Sequence, residues 1–310
     1  MRAFTLDAFG SPPGLRHDLV APRPDAEEVI VRVLASSVNP VDAAIAAGML
    51  REVAEHRFPV VLGRDYAGVV EQAGAAVSAF APGDTVYGFL PYADPAVQHG
   101  TWCELIAVAA AGPIAPQPAS LDAAAAGAAA LAGVTALACL DALQLGDGDT
   151  LLVVGAAGGV GSLAVALAAR GGVPVLATGR GDDVDYLRDL GADEVVDRDG
   201  DITEEVRPHH AVTALIDLVS GTPEALQANA AVLVDGGRAV SPLGAAGDVP
   251  GEHNVMGLAS AGNLRRLAQL IDKRAVPVHI ERTYPLADAG AALHAVIDEH
   301  KRGKLALSLT

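Results

Sequence analysis

Cysteine, positive charge and unbroken apolar runs are all scarce in this chain. Of its 310 residues only Cys103 and Cys139 are cysteines. They form no C-x-x-C pair and no spacing that ligates a metal, which excludes a cysteine-built zinc site. Both lie in apolar surroundings, where a thiol acts as a small core residue, and their scarcity fits a reducing, cytoplasmic setting. Lys and Arg number 21 against 38 Asp and Glu, a formal net charge of −17. A surface so acidic repels phosphodiester backbones and anionic membranes. Nucleic acid and membrane are thereby set aside as partners and a small molecule is left, although a local basic pocket for one phosphate is still allowed. The alanine-rich apolar stretches are broken by glycine and acidic residues, so none reads as a membrane span. The first residues, Met1-Arg-Ala-Phe-Thr-Leu-Asp7, hold no apolar run of the kind a secretory leader needs.

Apolar residues are abundant by contrast, at 51% against 19% charged, enough for a large packed core. The length exceeds the roughly 250–300 residues at which a single core stops growing, so two domains are expected. Residues 1 to about 115 read as β-rich: runs at 29–34, 68–71 and 85–90 are separated by Ser11-Pro-Pro-Gly14, Pro22-Arg-Pro24 and Pro82-Gly-Asp84. Gly112-Pro-Ile-Ala-Pro-Gln-Pro118 reads as a linker, and Ser120 as the N-cap of a helix over 121–132. From 151 onward the pattern alternates. Strands are predicted at 151–155, 173–178, 194–196, 214–219, 237–243 and 276–280. Helices are predicted at 159–170, 183–190, 223–234, 257–272 and 286–300. Apolar runs alternating with amphipathic helices indicate an α/β domain with parallel strands. A last strand-like run, Lys304-Leu-Ala-Leu-Ser-Leu309, is assignable to either domain.

The most informative stretch is Leu151-Leu-Val-Val-Gly-Ala-Ala-Gly-Gly-Val-Gly161. A buried strand, a glycine-rich turn and a helix start make a phosphate site, because unpaired N–H groups and the helix dipole face the anion. Ala157, Gly158, Gly159 and Val160 are therefore expected against the pyrophosphate of a dinucleotide. The fingerprint places glycine at its first, third and sixth positions. These are Ala156, Gly158 and Gly161 here, so the first glycine is replaced. The second strand ends in Ala177-Thr-Gly-Arg180 with no acidic residue at its tip. An acid there would bind the ribose hydroxyls of NAD, whereas a basic residue accommodates the 2′-phosphate of NADP. Thr178, Gly179 and Arg180 thus favour NADPH, with Arg198 after the third strand as a second ligand of the same phosphate. Two alternatives stay open: Asp182 folding back to a ribose, and Arg180 serving only in a surface ion pair.

The first domain holds Ser37-Val-Asn-Pro-Val-Asp42, Gly63-Arg-Asp-Tyr-Ala-Gly-Val-Val70, Pro82-Gly-Asp84 and Gly100-Thr-Trp-Cys-Glu104. Ala132-Gly-Val-Thr-Ala136, the glycine turn and Gly303-Lys304 follow. In this order and spacing the whole chain resembles the medium-chain dehydrogenase/reductases, specifically the zinc-free quinone oxidoreductase branch related to zeta-crystallin. The resemblance implies a GroES-like catalytic domain, residues 1–115 and 281–310, and a Rossmann NADP-binding domain, residues 116–280. It implies a cofactor held in the cleft and a homodimer. Zinc-dependent relatives carry a cysteine near the position of Asn39 and a His-Glu pair where Arg64-Asp65 stand, so no metal site is expected. Hydride transfer from NADPH to a quinone, an enone or a related conjugated acceptor is the chemistry left, with hydrogen-bond donors stabilising the developing oxyanion.

By its place in the motif, Asn39 is the leading polar contact for cofactor and substrate, though Asn before Pro is also a common turn opener. Tyr66, Tyr92 and His99 are candidate proton donors, with solvent as the alternative. Thr135 resembles a family threonine near the nicotinamide or the phosphates. Ser220, Leu243 and Gly244 follow the fourth and fifth strands at the carboxyl edge, where open sheets bind ligands. Val255 and Met256 are expected to pass the nicotinamide, and Lys304 to reach a phosphate. One departure stands out: family members often have tyrosine two places after the Asp of Asn-Pro-Val-Asp, and here that place is Ala44. This puts simple quinone reduction in doubt and keeps two other readings open. One is a biosynthetic reductase of an imine or unsaturated acyl group. The other is a non-catalytic NADPH-binding protein.

Overall fold

The computed structural model describes residues 1–93 and 96–310. They form two compact units. The first comprises Met1–Leu131, Leu258–Gln269 and His279–Thr310, and the second Ala132–Gly257 and Leu270–Val278.

The first unit is built on the eleven-residue strand Glu28–Val38. Asp65–Ala73, Leu105–Ala109 and Lys304–Ser308 all pair with it antiparallel. The sheet extends through Thr85–Phe89 to Ile114–Pro116 on one side and through Ile280–Pro285 on the other. A smaller sheet joins Gly14–Arg16, Ala3–Leu6 and Val60–Val61. Val29, Val31 and Val33 point into the core while Arg32 stays exposed. Phe4 meets Trp102 edge-on at 6.0 Å within the same core. The strands run past the apolar cores visible in the sequence, because pairing on both sides carries the ladder into the polar residues Ser36, Ser37, Asp65 and Tyr66. The C-terminal run belongs to this sheet, with Leu305 opposite Val38.

The second unit is an α/β layer around a six-stranded, wholly parallel sheet. Its strand order is Glu194–Asp197, Val175–Gly179, Leu151–Val154, Val212–Asp217, Leu233–Ser241 and Glu252–Asn254. That is the doubly wound order, in which the first strand lies between the second and the fourth and ligands bind beyond the carboxyl ends at this switch point. The first five strands follow the expected ones. The sixth does not: Glu252–Asn254 takes the place expected for 276–280. It is an edge strand with two of its three residues exposed, held by backbone pairing, so no apolar pattern announces it. Residues Ile280–Pro285 are a strand in the other unit.

The helix expected over 121–132 runs on to Leu143. By length and composition Ala123–Leu143 could cross a membrane despite its two glycines and Asp141, but 67% of its apolar window is buried inside the protein. The units divide this helix after Leu131 instead of at 116. Gly127 lets its first half approach the sheet of the first unit, where a Cβ would stand 3.3 Å from the Ala35 carbonyl oxygen. The Leu131 N–H donates to Asp65 Oδ1 at 2.8 Å. Residues 258–269 likewise group with the first unit; the Leu264 carbonyl there accepts the Tyr87 hydroxyl at 2.6 Å.

Candidate active site

In the second unit the strand Leu151–Val154 is entirely buried and feeds a tight turn into the helix Gly159–Ala169. Gly155 takes the left-handed conformation, φ +83°, and a Cβ there would lie 2.9 Å from Val219. The residue that must bend is thus one place before Ala156, which explains how alanine is tolerated at the fingerprint's first position. At Gly161 a Cβ would stand 2.3 Å from the Gly155 carbonyl oxygen, so only glycine closes the turn. At Gly158 the nearest atom to a Cβ is 3.6 Å away, and a side chain would project into the open cradle. The first helical bond runs from Ser162 N–H to the Gly158 carbonyl at 2.9 Å. The N–H groups of Gly159, Val160 and Gly161 therefore have no acceptor among the described residues, which is the donor set a pyrophosphate requires.

The second and third strands end side by side, with Gly179 opposite Asp197. Arg180 and Arg198 follow them, on strands about 4.8 Å apart. Both are exposed. The Arg180 N–H is held by Asp183 Oδ2 at 2.9 Å, while its guanidinium has no partner among the described residues. Arg198 pairs with Asp199 at 3.3 Å and anchors its own N–H on the Gly179 carbonyl at 2.9 Å. Asp182 is exposed beside Arg180. The other two residues of this stretch are structural. Thr178 accepts the Gly155 N–H at 3.1 Å and so supports the turn. Gly179 is buried where a Cβ would meet Leu187 at 2.6 Å.

Further along the same carboxyl edge, Ser220 donates its hydroxyl to Asp217 Oδ2 at 2.7 Å. The fully buried Asp217 also takes the N–H groups of Val219 and Ser220 and the Asn229 amide, at 2.9, 2.8 and 2.8 Å. Asp217 and Asn229 therefore shape this loop, a role the sequence reading missed; a lone carboxylate closing the apolar run Ala214-Leu-Ile was the available signal. Leu243 and Met256 are exposed and Gly244 has φ +80°. Val255 N–H donates to the Ser241 carbonyl at 3.0 Å. Thr135 is buried against Gly257, where a Cβ would come within 2.5 Å of its hydroxyl.

The first unit gathers four buried charges: Asp42, Arg64, Asp65 and Lys304. Asp65 accepts from the hydroxyl of Ser37 and from Asn39 Nδ2, the latter at 2.8 Å. Lys304 Nζ donates to Asn39 Oδ1 at 2.6 Å and to the Val38 carbonyl at 3.1 Å, and lies 3.8 Å from Asp65. Asn39 is extended before Pro40, as a residue preceding proline must be. Its side chain does not cap the helix Pro40–Ala46; Asp42 Oδ2 instead accepts the Asn39 N–H at 2.8 Å. Arg64 spends its Nη groups on the carbonyls of Pro91, His99 and Val61. Its Nε stops 3.9 Å from Asp42 Oδ1, and both atoms lack a hydrogen-bond partner. Burial lifts the Asp42 carboxyl to about 7, against the pull of Arg64. Burial also pulls the Lys304 ammonium down, opposed by Asp65 and Asp42.

Two expected roles change. Tyr66 is fully buried and its hydroxyl donates to the Pro113 carbonyl at 2.8 Å, with burial raising its pKa. It holds a loop and is not poised to protonate a substrate. Lys304 does not reach for a phosphate; its ammonium is buried and directed at Asn39.

Comparison with known proteins agrees with this architecture. Residues 25–119 match the alcohol dehydrogenase GroES-like domain and residues 190–307 the zinc-binding dehydrogenase domain. A chloroplastic quinone-oxidoreductase homolog of Spinacia oleracea is 34% identical over 64% of this chain; the chain spans 61% of that relative's length. The quinone oxidoreductase of Coxiella burnetii superposes with a TM-score of 0.88 at 27% identity, covering 100% of this chain and 99% of that one. An alcohol dehydrogenase superfamily protein from Novosphingobium aromaticivorans is 31% identical, with a TM-score of 0.87 and 100% of both chains covered. With its GroES-like unit, its doubly wound parallel sheet and its glycine turn, the chain belongs to the alcohol dehydrogenase superfamily, the medium-chain dehydrogenase/reductases.

Proposed function

We propose that this protein is a metal-independent, NADPH-dependent reductase that delivers hydride to a quinone or an enone. The observation that carries the cofactor choice is the pair of exposed guanidinium groups, Arg180 and Arg198, at adjacent strand ends beside the glycine turn. The Arg180 guanidinium, with no partner among the described residues, is suited to fork onto a phosphate dianion, and Arg198 can join it by giving up Asp199. The bound reduced nicotinamide supplies the hydride. The N–H groups of Gly159, Val160 and Gly161 hold the pyrophosphate and the two arginines hold the 2′-phosphate. Hydride arriving at the β-carbon of an enone, or on a quinone ring, leaves negative charge on the carbonyl oxygen. An Asn39 N–H stabilises that charge, and solvent supplies the proton.

The donor atoms here do not suit a metal. Where zinc-dependent relatives place thiolate and imidazole, this chain has an amide, a guanidinium and a carboxylate already bound to one another or to backbone carbonyls. These are poor ligands for zinc. The test is NADPH consumption with 1,4-benzoquinone, 9,10-phenanthrenequinone and alkyl enones, with and without a chelator. NADPH should be used well ahead of NADH and the chelator should have no effect. Chelator-sensitive turnover, or equal use of NADH, overturns the corresponding half of the proposal.

A further inference from the structure

The Gly303-Lys304 motif has no part in the reading above, and the structure gives it one. Gly303 sits at φ +68°, where a Cβ would collide with the His279 carbonyl oxygen at 2.4 Å. Lys304 N–H donates to that same carbonyl at 3.0 Å. The kink starts the strand Lys304–Ser308 in register, with Leu305 opposite Val38, and turns the Lys304 side chain inward next to Asn39.

The Asn39 amide lies between two charges that fix its sense. An ammonium can only donate and an ionised carboxylate can only accept. Lys304 Nζ therefore faces Oδ1, at 2.6 Å, and Asp65 Oδ2 faces Nδ2, at 2.8 Å. Rotating the amide by half a turn would set its NH2 against the ammonium and its oxygen against the carboxylate. Asp65 is itself immobilised by the Ser37 hydroxyl and by the Leu131 N–H, and Lys304 by the Val38 carbonyl. One hydrogen of Nδ2 goes to Asp65. The other has no acceptor among the described residues.

We propose that Lys304 is a positioning residue that locks the Asn39 amide, so that its second N–H is the donor offered to the reacting carbonyl oxygen. This rests on the reductase reading above. It assigns Lys304 a part in turnover and none in holding the cofactor's phosphates.

The test compares Lys304→Met, which keeps the chain length and removes the donor, in wild-type and Asn39→Ala backgrounds. Four quantities are read: kcat, KM, the NADPH binding constant by calorimetry, and the Asn39 side-chain 15N–1H signals of the cofactor-free protein. Losing one charge-assisted contact should lower kcat about 10- to 100-fold, with NADPH binding within about twofold of wild type. The Asn39 amide signals should shift. In the Asn39→Ala background Lys304→Met should cost no further kcat, because the group it positions is gone. Weakened NADPH binding at unchanged kcat would make Lys304 a phosphate ligand and overturn the proposal. So would an equal loss in both backgrounds, or unshifted Asn39 signals. Trp102, the single tryptophan, donates its indole N–H to the Ser37 carbonyl at 3.2 Å, so its emission reports whether the cluster is folded. If Lys304→Met unfolds, Lys304→Gln, which loses the charge and keeps an N–H donor, is read instead: a kcat retained better than in Asn39→Ala supports the proposal and an equal loss refutes it. The amide signals need neither cofactor nor acceptor, so a failure of the reductase reading would appear separately, as a wild-type protein that consumes no NADPH.

Discussion

Replacing Arg180 with alanine isolates the choice between NADPH and NADH. The guanidinium is exposed and has no partner among the described residues, so its loss should leave folding stability unchanged within the small range of surface substitutions. The whole effect should fall on the 2′-phosphate. A hydrogen bond to a charged group contributes roughly 1.5–3 kcal/mol, or about 10- to 150-fold in affinity. Exposure to solvent places the expected value toward the lower end, and added salt should shrink it. Arg198→Ala should cost less, because Arg198 must first yield its contact with Asp199 at 3.3 Å. Calorimetric titration of wild type and both variants with NADPH and NADH measures these differences directly. NADH affinity should change by less than about twofold in Arg180→Ala. An equal loss for both dinucleotides would refute the reasoning. A wild type that prefers NADH would shift the ribose contact to Asp182.

Gly161→Ala should act in the opposite manner, weakening both dinucleotides together. Its Cβ would stand 2.3 Å from the Gly155 carbonyl oxygen and force the turn open, and unchanged affinities would show that the turn is not the pyrophosphate site. Tyr66→Phe should retain turnover and lose about 1 kcal/mol of stability in denaturant unfolding, because it removes only the bond to Pro113; abolished turnover in a stable variant would restore it as a proton donor. Asp42→Asn tests the buried carboxyl. Its folded-state pKa of about 7 lies above the unfolded value of 3.8, so its contribution is fully present below pH about 4 and lost as pH rises through 7. The variant should therefore gain stability relative to wild type across that window in thermal melts, and parallel curves would show that Asp42 does not titrate there.

Much of the second unit was legible from periodicity. Strands such as Leu151–Val154 and Val212–Asp217 are buried on both faces and read as continuous apolar runs. Glu252–Asn254 was invisible for the complementary reason: an edge strand is recruited by backbone groups, and its side chains face solvent. The end of the helix Ala123–Leu143 was also missed, since alanine and glycine carry too little polarity to mark a boundary. Gly158 at the helix N-cap and Arg180 just past the strand end keep the local positions their sequence predicts. Tyr66 and Lys304 do not keep their expected roles, because an aromatic hydroxyl or an ammonium reads alike in sequence whether it faces a ligand or a buried partner.

The glycine turn shows how far local order reaches. A strand, a left-handed glycine and a helix N-terminus follow from eleven consecutive residues, since sterics and hydrogen-bond accounting act over a few positions. The family resemblance and the doubly wound unit followed from the same kind of pattern. The cluster of Ser37, Asn39, Asp65 and Lys304 could not be read that way. Its members are up to 267 positions apart, from Ser37 to Lys304, and meet only because Lys304–Ser308 pairs with Glu28–Val38. Each charge is unfavourable when buried alone and becomes tolerable only against the others. Their roles therefore arise where the chain closes on itself, and no shorter stretch contains them.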